Sequence, residues 1–158
     1  MKSKFYSYVI SVLFFLSAAT AMAQDEESLM TYDLATSAMD AAEAYAREQG
    51  WNVTILITDQ NNNPVMLRRI DGAGGRTFNF ATAKALVVNA TGLTSGEYGR
   101  RVEAGDVEEV EGGVTFAGGV PVYRSGQRIG AISTSGVRAA QDEEVSVAGA
   151  EVISSISN

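Results

Sequence analysis

Apolar residues recur along the chain with two spacings, one typical of helices and one typical of strands. They return every three or four positions, as on a helix face, in residues 31–50, 77–92 and 142–156. They alternate with polar residues or form short β-rich runs in residues 51–59, 65–70, 120–123 and 128–133. The strands therefore come as two adjacent pairs and do not alternate with helices. This order predicts an α+β domain with an antiparallel sheet and flanking helices.

Polar residues and glycines indicate where these elements end. Thr31 is expected to cap the first helix, which Gly50 closes. Asp142 is expected to open the last helix as its cap or a first-turn residue, with acidic residues behind it that complement the helix dipole. Residues 93–113 show no clear period, which predicts short helical turns and a solvated acidic loop.

Glycines stand in unexpected places in residues 116–136, FAGGVPVYRSGQRIGAISTSG, which otherwise predict a β-hairpin. Gly126 suits the turn. Gly118 and Gly119 precede the first strand and Gly130 lies inside the second, where glycine costs stability without a local benefit. These positions indicate that another group approaches the backbone closely.

Lys84 does not lie on a clearly polar face of its helix, because Phe80 and Val88 are its neighbours at i±4. Two interpretations stay open. The lysine snorkels to water, or it is partly buried and points into a pocket, where it could bind a carboxylate or act as an amine of lowered pKa. The glycine-rich link DGAGGRT before this helix is interpreted as a flexible connection, with an anion site that uses Arg76 as the alternative.

The first 23 residues have the three parts of a secretory signal peptide. Two lysines give a basic start, residues 9–16 are apolar, and Ala21 and Ala23 predict cleavage before Gln24. The apolar run is shorter than the about 20 residues that cross a bilayer. We therefore expect a periplasmic or secreted protein made of three parts, a signal peptide, an acidic leader and a single domain, over residues 1–23, 24–28 and 29–158.

Charge and composition exclude several classes of function. The net charge of −7, which becomes more negative when the signal peptide is removed, argues against nucleic acid or an anionic membrane as partner. The chain has no cysteine and no histidine. Thiol chemistry, thiolate metal sites, histidine ligation and Ser/His/Asp catalysis are therefore excluded, and we expect no metal site.

Four motifs in sequence resemble the GlcG/HbpS-like family of small haem-binding or haem-degrading proteins. They are DQNNNPVMLRRIDGA, ATAKA, FAGGVPVYRSGQRIGAISTSG and QDE, and the resemblance covers about residues 29–156. It implies a profilin-like fold with an antiparallel sheet of about five strands, and a homo-oligomer, as dimers or larger rings. It also implies haem as cofactor. Haem would be held here without histidine, by Met, Tyr or Lys ligation or by apolar contacts with Arg or Lys at the propionates.

The resemblance further implies a ligand site, for which we expect the residues Arg68, Asp71, Lys84, Phe116, Gly118 and Gly119. Arg68 and Lys84 would supply positive charge and Asp71 would be their partner, while the glycine amides donate to the ligand. The structural alternative is a buried salt bridge between Asp71 and Lys84 that fixes the first hairpin to the helix.

Three functions are compatible with these residues. The first is an exported, oligomeric protein that binds haem or another small organic ligand without catalysis. The second is a small enzyme, a lyase, tautomerase or haem-degrading protein, in which Lys84 and Asp71 supply acid–base chemistry on a small organic acid. The third is a structural or interaction protein without a ligand.

Overall fold

The computed structural model describes residues 28–156, so the expected signal peptide and nearly all of the acidic leader lie outside the described residues. In chain order, the elements are α1 (Tyr32–Glu48), β1 (Thr54–Asp59), β2 (Pro64–Arg69), α2 (Thr77–Thr91), α3 (Ser95–Ala104), β3 (Gly119–Arg124), β4 (Gln127–Ser135) and α4 (Ala139–Ile156). Within this part of the chain, no helix combines the length and the apolar character needed to cross a membrane.

The strands form one antiparallel sheet in the order β2-β1-β4-β3. The two predicted hairpins are joined through β1 and β4, in a register that pairs Thr54 with Ser135 and Asp59 with Gly130. The α+β class is confirmed. The sheet has four strands in residues 28–156 where about five were expected. The segment between α3 and β3 contains no strand and packs against α3, where the Thr115 carbonyl occupies the space that a Cβ at Gly99 would need.

Side chains of β1 alternate between two covering layers. Ile55 and Ile57 are buried in the main core, which α1 and α4 complete on one face of the sheet. Leu56 points to the other face and packs with Ala81 and Ala85 of α2. Both faces are covered, so all six residues of β1 are buried.

Local signals account for several of the observed boundaries. The Thr31 hydroxyl accepts a hydrogen bond from the Leu34 amide at 3.3 Å, so the predicted cap of α1 is confirmed. Gly130 also has the packing role that its position in a strand indicated, because a Cβ there would overlap the backbone oxygen of Thr58 on β1. The expected short turns after Leu93 are instead one helix of 10 residues, α3.

Candidate functional site

Lys84 reaches from α2 past the end of the sheet to the first turn of α4. Its Nζ lies 2.8 Å from Asp142 Oδ2 and 2.8 Å from the Thr134 carbonyl oxygen on β4. The exposed fraction is 0% for the Lys84 side chain and 4% for that of Asp142. The ion pair is therefore buried, and it connects helices that lie on opposite faces of the sheet.

An aromatic ring closes this ion pair from the outside. Lys84 Nζ lies 5.0 Å from the centroid of the Phe116 ring, within the range of a cation–π interaction. Of the three N–H groups of the ammonium, two donate to Asp142 and Thr134, which leaves the third for the aromatic ring. Phe116 itself meets Phe80 edge to face, with centroids 5.7 Å apart. The buried positive charge is thus fully partnered.

Glycine at position 118 makes room for the ammonium group. Gly118 has φ of 128°, and a Cβ at this position would overlap Lys84 Nζ. A Cβ at Gly119 would lie 3.1 Å from Lys84 Cβ, and the Gly119 amide donates to Ser95 Oγ at 2.9 Å. Lys84 therefore approaches both glycines, together with Asp142 and the Thr134 carbonyl at Gly118, and the Gly119 amide is engaged within the protein.

Hydroxyl groups hold the surrounding backbone in place. The Ser146 hydroxyl on α4 donates to the Gly118 carbonyl at 2.8 Å and lies 2.8 Å from Thr134 Oγ1. The Thr134 amide donates to the same Gly118 carbonyl at 2.8 Å. These bonds connect the start of β3 to β4 and α4 beside Lys84.

Burial shifts both members of the ion pair toward their neutral forms. It lowers the pKa of Lys84 below its ordinary value, against the opposing effect of the Asp142 carboxylate. It also raises the pKa of Asp142, although the hydrogen bonds from Lys84 and from the Val137 amide oppose that shift. Glu143 adds negative charge nearby, and its buried Oε2 has no hydrogen-bond partner among residues 28–156.

A cleft of about 280 Å³ opens beside the ion pair, lined by Thr77, Phe80, Phe116, Ser135, Gly136, Val137, Ala139 and Asp142. The two phenylalanine rings give it an apolar side, and the threonine and serine add polar groups. The guanidinium of Arg76 lies 5.3 Å from the centroid of the Phe80 ring, at the exposed end of α2. The cleft has the apolar wall and the few polar groups that typify sites for small organic molecules.

Haem iron would find no ordinary axial ligand in this cleft. Its lining residues include no histidine, cysteine, methionine or tyrosine, and the nearby Lys84 is already bonded to Asp142 and Thr134. No group of three or more acidic, histidine or cysteine residues that could hold a metal ion occurs in the described part of the chain. The residues that line the cleft therefore do not fit iron coordination.

Four of the six residues expected at the ligand site lie together, namely Lys84, Phe116, Gly118 and Gly119. Arg68 lies elsewhere, on β2, where its guanidinium pairs with Asp40 at 2.6 Å and with Glu43 at 2.8 Å on α1. Arg68 is thus directed to the face of the sheet that α1 covers, and α2 lies on the other face.

Asp71 is also separate from the cleft. It is exposed in the turn after β2, where it lines a cavity of about 370 Å³ with Arg69 and Gly72. It also lines a second cavity of about 220 Å³ together with Arg68, so these two expected site residues lie near each other and away from Lys84. The expected Asp71–Lys84 salt bridge is therefore wrong, because Lys84 turns inward past the sheet and pairs with Asp142.

The sequence did not predict Asp142 as the partner of Lys84, because an aspartate at this position is already explained by the start of a helix. Helix α4 begins at Ala139, and Asp142 lies in its first turn, where Oδ1 accepts from the Val137 amide at 3.1 Å. Its second oxygen binds a lysine that is 58 positions away in sequence. A single acidic residue at a helix start gives no indication of such a partner.

Comparison with known proteins finds one matching family and several similar crystal structures. Residues 30–151 match the family described as haem degrading protein HbpS-like. A crystal structure of a double mutant of HbpS from Streptomyces reticuli is similar with a TM-score of 0.74 and 29% sequence identity, covering 86% of this chain and 94% of that chain. No curated protein sequence matches the chain.

Two further crystal structures are similar in fold. The Klebsiella pneumoniae protein ORFY has a TM-score of 0.72 and 24% identity, covering 78% of this chain and 90% of that chain. A complex of PduOC with haem has a TM-score of 0.72 and 22% identity, covering 78% of this chain and 94% of that chain.

Proposed function

The chain belongs to the HbpS-like family, and from this premise we propose that it is an exported, self-associating protein that binds a small organic ligand in the cleft beside Phe116, with haem as the first ligand to test. The observation that carries the proposal is the cleft itself, in which two aromatic rings and two hydroxyl-bearing residues face the same space. The haem complex of the structurally similar PduOC supports the choice of ligand. The signal-peptide pattern of residues 1–23 supports export.

The residues around the cleft suggest how a planar ligand would be held. Phe80 and Phe116 offer an apolar edge for contact with a ring system. Arg76, at the exposed end of α2, offers a positive charge for a carboxylate. Ser135 can exchange hydrogen bonds with polar substituents, whereas the Thr77 hydroxyl already bonds to Thr54 Oγ1 and to the Gly74 carbonyl. Iron has no role in this scheme, since the cleft offers it no ligand.

The Lys84–Asp142 pair supports a second candidate, a small enzyme that uses acid–base chemistry. A buried lysine of lowered pKa beside a carboxylate that lines a cleft is an arrangement found at many catalytic sites. The Lys84 side chain, however, is fully buried and does not line the cleft, whereas its partner Asp142 does. The version of this hypothesis that uses Asp71 has no geometric basis, because Asp71 is exposed in a different part of the surface.

Spectroscopic titration tests the binding proposal. The mature chain is titrated with haem and, separately, with an iron-free porphyrin of the same side chains, and the absorption of each is followed. We expect both to bind with similar affinity, because the cleft provides aromatic contacts and no iron ligand. Replacement of Phe116 or Phe80 by alanine should weaken binding roughly five-fold, since an aromatic contact is worth about 1 kcal/mol.

Tyr123→Ala is the matched control, because this aromatic residue on β3 is as exposed as Phe116, at 44% against 39%. It should leave the affinity unchanged. Absence of binding for both porphyrins would exclude haem as the ligand. Binding that Phe116→Ala leaves unaltered would place the ligand elsewhere. Breakdown of bound haem by the wild-type protein, lost in folded Lys84→Met, would favour the enzyme.

A further inference from the structure

One buried hydroxyl group at the cleft beside Phe116 has no hydrogen-bond partner in the protein. Ser135, the last residue of β4, is 6% exposed and lines the cleft. Its hydroxyl makes no hydrogen bond within residues 28–156. Ser133, on the same face of β4, instead donates to the Ala81 carbonyl at 2.8 Å. Because polar groups with so little exposure are nearly always hydrogen-bonded, an unpaired one at a cleft indicates a ligand.

The other polar side chains that line the cleft are already engaged. The Thr77 hydroxyl has two partners within the protein. Asp142 accepts from Lys84 through Oδ2 and from the Val137 amide through Oδ1, and the charge of Lys84 balances that of Asp142. In the described part of the chain, Ser135 therefore supplies the one free polar side-chain group of the cleft lining.

The backbone around the cleft offers hydrogen-bond donors and a positive potential. The first turns of α2 and α4 both border the cleft, through Thr77 on α2 and Ala139 on α4. The amides of Ala139 and Ala140 have no hydrogen-bond partner within residues 28–156. The first turn of α2 contains no acidic residue, and Arg76 adds a positive charge beside it. Free amides at helix starts favour an anion, so the cleft suits a negatively charged ligand although the chain has a net charge of −7.

We propose that this end of the cleft holds the carboxylate of a ligand that carries it on a planar, apolar ring system. The Ser135 hydroxyl and the first-turn amides of α4 donate to the carboxylate, while the ring contacts Phe80 and Phe116. A volume of about 280 Å³ is at the lower end of the range for small-molecule sites, so the cleft encloses one ring with its acid group. The inference rests on the proposed function and adds the chemical class of the ligand.

Calorimetric titration of the mature chain with benzoate and, separately, with benzylamine tests the preference for an anion. The two probes share one aromatic ring and carry opposite charges. We expect benzoate to bind more tightly than benzylamine. Ser135→Ala should weaken the binding of benzoate roughly ten-fold, because a hydrogen bond to a charged group is lost.

Ser133→Ala is the matched control, because its hydroxyl lies on the same strand and is bonded within the protein. It should leave the affinity for benzoate unchanged and lower the melting temperature. Ser135→Ala should keep the melting temperature at or above that of the wild type, since it removes no hydrogen bond within the protein. A fall as large as that of Ser133→Ala would show that the Ser135 hydroxyl serves the fold, and this would overturn the inference.

Titration of the same variants with the iron-free porphyrin distinguishes a single-ring acid from a porphyrin propionate, which share the carboxylate chemistry. Binding of either probe that weakens in Ser135→Ala and not in Ser133→Ala supports the carboxylate site and identifies the source. Binding that Ser135→Ala leaves unaltered, or benzylamine that binds as tightly as benzoate, overturns the inference. In that case the proposed function still stands if Phe116→Ala weakens the binding. Absence of binding for both benzoate and the porphyrin overturns the inference and the proposed function together.

Discussion

Lys84 and Asp142 form an ion pair that connects the two layers of helices through the end of the sheet, with Nζ and Oδ2 at 2.8 Å. Buried ion pairs contribute little net stability compared with apolar residues of similar volume, but the loss of one partner is costly. The pair is therefore a point at which the protein is sensitive to single substitutions. Its hydrogen bonds to Thr134 and Val137 also make the position of α4 specific.

Replacement of Lys84 by methionine should lower the free energy of unfolding by about 3–5 kcal/mol, because Asp142 is left buried without its counter-charge. The double variant Lys84→Met with Asp142→Leu should regain part of this loss. Urea unfolding of the wild type, both single variants and the double variant measures the coupling. Arg47→Met is the control, since it breaks an exposed ion pair with Glu43 and should cost at most about 1 kcal/mol. Equal losses for Lys84→Met and Arg47→Met would contradict the role of the buried pair.

Gly118→Ala should destabilise the protein more than Gly126→Ala. Both glycines have positive φ, 128° and 81°, and each substitution carries a backbone cost of about 1–2 kcal/mol. A Cβ at Gly126 meets nothing within 4 Å, whereas a Cβ at Gly118 overlaps the ammonium of Lys84. In the Lys84→Met background the additional loss at Gly118 should shrink but persist in part, because the added Cβ would still lie 2.8 Å from Asp142 Cβ and from the Thr134 carbonyl oxygen. Denaturant unfolding that shows the same loss at both glycines would count against this explanation.

Stability at acidic pH should depend on Glu43. The hydrogen bond from Arg68, together with that from Arg47, holds the pKa of Glu43 below its ordinary value of 4.5. Since the pKa is lowered in the folded state, the stabilisation is present above pH 4.5 and is lost as the pH falls through the folded-state pKa. Glu43→Gln should therefore flatten the decline of melting temperature at acidic pH.

The matched control for Glu43 is Glu151→Gln on α4, an exposed glutamate without an ion-pair partner in residues 28–156. The melting temperatures of the wild type and both variants are measured from neutral pH to about pH 3. The curves of the wild type and Glu151→Gln should run parallel. A Glu43→Gln curve with the same acidic slope as the wild type would show that the ion pair with Arg68 contributes nothing.

Export should yield a chain that begins at Gln24. Expression of the full sequence in a bacterium with a periplasm, followed by mass spectrometry of each compartment, measures both location and cleavage. We expect the shortened chain outside the cytoplasm, and we expect Ala23→Arg to block processing because the cleavage site needs a small residue. Recovery of the intact chain from the cytoplasm would refute export.

Patterns among neighbouring residues were sufficient to predict where helices and strands begin and which glycine is closely packed. Alternation around Leu56 placed β1, the hydroxyl at Thr31 placed the start of α1, and a glycine inside a strand indicated the close packing at Gly130. The pairing of side chains was not predictable in the same way. Arg68 faces α1 and Lys84 faces α4 because of the strand order and the layer to which each helix belongs. Neither the strand order nor the layer of a helix can be predicted from the residues next to Arg68 or Lys84 in the sequence.

The Phe116 ring has two roles, because it packs over the Lys84 ammonium and also lines the cleft. A mutation that reshapes the cleft at this position also uncovers a buried charge, so divergence of ligand preference is constrained here by folding. Other residues that line the cleft, such as Ser135, Val137 and Ala139, can change without uncovering the ion pair. Related proteins that have acquired different ligands should therefore differ mainly at these positions and retain an aromatic residue opposite them.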